Sequence, residues 1–123
     1  MSYLAEHAMR TAVEPERSRA RARFELMMIA ARDPDLSALF ENLMDRFVAI
    51  SEAAVAQVQP AGTPPDSALV KEQAFAVVTF LGGFLFRLAY GLVRLDGAKS
   101  LEAHLRSVIA GVAAEHRRNG NGV

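Results

Sequence analysis

Residues 74–95 read AFAVVTFLGGFLFRLAYGLVRL, and the first thirteen carry no charge. The stretch is open to three readings: a membrane span, a core helix, or a helix with two faces to cover. Placed at about 100° per residue, Glu72, Thr79, Arg87, Tyr90 and Arg94 fall in one narrow sector, with Ala76 and Gly83 between them. The remaining arc, roughly 240° wide, is apolar, whereas a helix on a single core needs about 100°. A span requires about 20 apolar residues, and Lys71, Glu72, Arg87 and Arg94 limit the uncharged run to Gln73–Phe86. Leaving half a dozen large apolar side chains in water would forfeit about 10 kcal/mol, comparable to a domain's whole stability. A second face that meets a partner is therefore expected.

The last helix, capped by Ser100 and running to about Arg118, shows a related division. Leu101, Leu105, Val108, Ile109 and Val112 form its apolar stripe, while Ala103, Ser107, Ala110 and Ala114 line the opposite side. Small side chains at that spacing admit a close helix, though they also suit a plain exposed face. Paired with a second copy, the last two helices would make a four-helix dimer interface through Phe75, Thr79, Gly82, Phe86, Ala89 and Val93 together with that small-residue side. Gly82 and Gly83 each cost a helix about 1 kcal/mol relative to alanine, and Gly82 is expected where a backbone or a ligand comes closest.

The rest of the chain is also helical, giving an all-α fold: an antiparallel bundle of about five helices over residues 1–118, with 119–123 as a disordered tail. A short helix ends before Glu14-Pro15, because a residue preceding proline is pushed out of the helical region. A second runs from about Glu16 to Arg32. Asp33 caps a third, with Pro34 at its first position. Leu36, Leu39, Phe40, Leu43, Met44, Phe47 and Ile50 form that helix's apolar stripe, continued by Ala54, Val55 and Val58, and PAGTPPDS, residues 60–67, stops it. Asp66 or Ser67 caps the long helix, which is expected to reach Leu95 and end at Asp96-Gly97.

With 14 basic and 14 acidic residues, the chain has no excess charge to draw in nucleic acid. It has no cysteine, which removes disulfides and thiolate chemistry and fits a cytoplasmic protein, and its start carries no signal-peptide core. No catalytic or nucleotide-binding motif is visible, so neither enzyme activity nor a cofactor or metal is expected. In ERSRARAR, Arg17 and Arg21 point one way and Arg19 and Arg23 nearly the other, which favours a solvated or ion-paired helix start over a DNA stripe. Phe24, Met27, Met28, Leu43, Phe47, Phe80 and Phe84 are core-spaced and adaptable. They suit either plain core or an apolar pocket between the second, third and fourth helices, oriented by Arg87, Thr79 or Tyr90.

The segment RARFELMMIAARDPDLSALFENLMDRF, then a proline-glycine loop and AVVTFLGGFLFRLAYGLV, resembles the C-terminal regulatory domain of tetracycline-repressor-type (TetR-family) transcriptional regulators over roughly residues 17–115. The resemblance implies an all-helical domain that binds a small effector internally and homodimerises through its last two long helices. Family members normally begin with a helix-turn-helix domain, which has no room before Glu16, so DNA contact is expected only through a part missing from this chain. A helical interaction module, for example one forming a mixed dimer with a full-length regulator, is the alternative, and no membrane partner is expected.

Overall fold

The computed structural model of the chain describes residues 1–62, 66–93 and 97–122. Helix α1 (Ser2–Met9) passes into a 3-10 turn (Arg10–Ala12), followed by α2 (Glu16–Ala30), α3 (Pro34–Gln57), α4 (Ser67–Ala89) and α5 (Ala98–Gly120). No strand occurs among the described residues, and the all-α expectation holds.

Two of the helix starts follow directly from the sequence. The Asp33 carboxylate accepts the Asp35 and Leu36 amides at 3.0 and 3.4 Å, with Pro34 in the first turn. Asp66 accepts those of Ala68 and Leu69 at 3.0 and 3.5 Å. Each carboxylate satisfies amides that have no partner within the helix. Residues 63–65 of the expected loop lie outside the described residues.

The end of α4 differs from expectation. The helix stops at Ala89, with Tyr90 as its C-cap, rather than continuing to Leu95. Gly91 takes φ +70°, its amide donates to the Leu88 carbonyl at 3.2 Å, and the Leu92 amide returns to Arg87 at 2.8 Å. These are the two bonds of a Schellman termination, for which glycine carries no Cβ penalty. Leu92 and Val93 prolong the apolar pattern without prolonging the helix. Arg94, Leu95 and Asp96 lie outside the described residues. Helix α5 begins at Ala98 after Gly97, whose φ is +97°, so Ser100 sits inside the first turn instead of capping it. At the other end α5 continues to Gly120, taking in Asn119 and Gly120, which were assigned to the tail.

Helix α4 touches every other helix. Its inner side buries Val70, Ala74, Val77, Leu81, Phe84 and Leu88 against Leu101, Leu105 and Ile109 of α5, Val55 of α3, and Leu4, Ala5 and Ala8 of α1. Polar links fix the directions of the helices. The Gln73 side-chain amide near the start of α4 donates to the Ile109 carbonyl at 3.0 Å, and while Glu72 meets His116, Phe80 meets the earlier His104, so these two helices run antiparallel. Gln59, just past the end of α3, donates to the Gln73 side-chain oxygen at 2.9 Å, which makes α3 antiparallel to α4 as well. Buried Gln73 is thus satisfied from both sides, while Ser51 Oγ is buried without a partner. By length and composition α4 could cross a membrane, but here it forms the centre of the domain.

The expected stripe of α3 is only partly covered. Leu39 is 64% exposed and Ile50 52%, whereas Val55, on the stripe's continuation, is fully buried together with Ser51. One edge of the stripe, at Ser51 and Val55, turns inward, and its centre does not.

Candidate effector cavity and outer helical face

A cavity of about 200 Å³ lies between the first helical segment, α2, α3 and α4. Helix α2 supplies Ala20, Arg23, Phe24 and Met27, and α3 supplies Phe40, Leu43, Met44 and Phe47. Helix α4 contributes Val78, Gly82 and Leu85, while His7 and Thr11 close one side. Met27 is 40% exposed and Leu43 47%, so the cavity opens to solvent along α2 and α3. Other depressions, of about 260, 270 and 610 Å³, are more open grooves drawing on fewer elements.

The expected ligand residues divide in two. Phe24, Met27, Leu43 and Phe47 share the cavity wall. Met28 is 70% exposed and lies off it. Phe84 belongs to the central core, and Phe80 stacks on it and on His104 at centroid distances of 6.1 and 6.4 Å. Arg87 is exposed. Helix α4 is turned so that Val78, Gly82 and Leu85 face the cavity, about a third of a turn round from Phe84. An added Cβ at Gly82 meets nothing within 4 Å, so no helix crosses closely there within one chain. The residues that spacing did not reveal are His7 and Thr11, which belong to a segment whose docking is a long-range event, and Arg23, which the arginine run had marked only as opposite in direction to Arg17 and Arg21.

That run is split between three tasks. Arg17 and Arg21 both donate Nε–H to the Ala89 carbonyl, Arg17 at 3.2 Å, and the Arg21 guanidinium lies 5.5 Å from the Tyr90 ring centre. Two cations thereby sit on the partly negative C-terminus of α4 and hold it antiparallel to α2. Arg19 pairs with Glu16 at 2.9 Å on the surface. Arg23 stands on the cavity wall. At the opposite end of the bundle, His116 of α5 lies 3.3 Å from both Asp66 and Glu72. The amides of Ala68 and Leu69, more than this histidine, hold the Asp66 carboxyl below its ordinary value of 3.8.

The outer side of α4 carries Phe75, 72% exposed, then exposed Thr79 and Gly82, and Phe86 at 37%. The Thr79 hydroxyl donates to the Phe75 carbonyl of its own helix at 2.8 Å. Ala89 is fully buried and offers a partner no surface, and Val93 is half-buried against the core beyond the helix end. On α5, Ala103, Ser107 and Ala110 are exposed and Ala114 is half-buried. Phe86 joins the two regions: its ring meets Phe24 of the cavity edge-on, with centroids 5.4 Å apart.

The described residues thus form an all-helical domain with a cavity between the first helical segment, α2, α3 and α4, and with exposed apolar side chains on the outer side of α4. The family model described as "Tetracyclin repressor-like, C-terminal domain" matches residues 1–115, and the chain belongs to that family. No curated protein and no solved structure matches it.

Proposed function

We propose that this chain is the regulatory domain of a TetR-like transcriptional regulator, binding a small apolar effector in the α2–α3–α4 cavity and homodimerising through the outer sides of α4 and α5. The observation that carries this reading is the outer side of α4, where Phe75 is 72% exposed and Phe86 37%, with exposed Gly82 between them. Burying one such phenylalanine is worth roughly 1.5–3 kcal/mol, and the adjacent small residues of α5 let a second pair of helices approach. Within the proposal, effector contact with Phe24 passes to Phe86 and so to the dimer face. DNA is reached only through a helix-turn-helix domain, and no residue described here is assigned to it.

Light scattering of the purified chain tests the assembly. The expected mass is twice that of the chain at micromolar concentration, falling to one chain in Phe75→Glu. A monomer in the wild type would remove the dimer from the proposal and leave a mixed assembly with another regulator as the better use of the same face.

A further inference from the structure

The cavity's chemistry is uneven. Its α3 and α4 walls are apolar, and its polar groups, His7, Thr11 and Arg23, come only from the first segment and α2. Among the described residues no acidic side chain lines it. Thr11 is 7% exposed and lines the cavity. Unlike Arg17, Arg19 and Arg21, Arg23 is held by no carboxylate or carbonyl among the described residues. A guanidinium, a hydroxyl and an imidazole lining one otherwise apolar cavity, with no carboxylate among its described lining residues, are a set that an anionic group can engage.

From this we infer that the cavity takes a small amphipathic monoanion, a carboxylic acid with a short apolar body, whose carboxylate meets Arg23 with Thr11 and His7 while its body lies among Phe24, Met44 and Phe47. The inference rests on the effector-binding reading and narrows its ligand class. Guanidinium and carboxylate match in a paired, charge-assisted geometry, and the hydroxyl and imidazole each have a proton to donate. Arg23 is exposed, so its charge remains solvated until a ligand arrives, and a neutral apolar molecule would make no charge-assisted bond to it. The volume of about 200 Å³ lies below the roughly 300–1,000 Å³ of drug-sized sites, which limits the apolar body to a short chain or a single ring.

Calorimetric titration of the whole chain with octanoate, 1-octanol and octylamine at pH 7.5 tests this. The expected order is octanoate about tenfold tighter than octanol, with octylamine weakest. Arg23→Met should bring octanoate to within about threefold of octanol, and Thr11→Val should act in the same direction more weakly. Thermal melts of both variants check that the fold is kept. Equal binding of octanoate and octanol, or an Arg23→Met chain that still prefers octanoate, overturns the anion while leaving the apolar-effector reading in place. If none of the three ligands binds, both fall.

Discussion

The two sides of α4 are built to different standards. Towards α1 and α5 the domain is closed: Leu81, Leu101 and Leu105 are at most 1% exposed. Towards α2 and α3 it is loose. Helix α2 buries only Ala20 and Ala30, α3 buries only Ser51 and Val55, and Met28, Ile29 and Leu39 stand more than half exposed. A close-packed region fixes geometry, because removing even one methylene leaves a gap that neighbours cannot fill. An under-packed region rich in methionine can adjust around a guest. The side that can yield is the side that holds the cavity.

Mutations can break that contrast directly. Leu105→Ala, in the closed region, should lower unfolding free energy by about 2–5 kcal/mol in urea titrations, while Met28→Ala in the loose region should stay within about 0.5 kcal/mol. Similar costs at the two positions would abolish the distinction.

The glycines sharpen it. Gly91 holds φ +70°, and a Cβ there would stand 2.7 Å from an Arg17 guanidinium nitrogen. Gly91→Ala should therefore destabilise by about 1–2 kcal/mol and loosen the α2–α4 clasp. Gly82 is helical, with nothing within 4 Å of an added Cβ, so Gly82→Ala should raise stability by about 0.5–1 kcal/mol while reducing ligand affinity at the cavity edge. Thermal melts of the two variants should move in opposite directions.

The smallest effect is expected in acid. The folded Asp66 carboxyl is held below 3.8, chiefly by the Ala68 and Leu69 amides it accepts. Its contribution is complete above the unfolded value and is lost as pH falls through the lowered folded one. Melting curves between pH 5 and pH 2.5 should show a shallower acid decline for Asp66→Asn than for the wild type.

The helix order and the caps at Asp33 and Asp66 could be read from the sequence because they depend on local chemistry. The end of α4 could not be read from periodicity, since Leu92 and Val93 keep the apolar rhythm after the backbone has turned at Gly91. The glycine itself was the available signal, and Asp96-Gly97 stood in for it. Phe24 and Met27 of α2 and Leu43 and Phe47 of α3 line the cavity. Phe80 and Phe84 are equally apolar but face the closed side, because α1 and α5 draw that arc of α4 inward. Which arc turns inward depends on helices far away in sequence, and so does the arrival of His7 and Thr11.

Amide hydrogen exchange across the whole chain, with and without octanoate, is the most direct test that binding belongs to the loose side. The amides of α2 and α3 should exchange faster than those of α4 and α5 in the free protein, and octanoate should slow α2 and α3 most. Protection that is equal in all four helices and unchanged by the ligand would contradict the account.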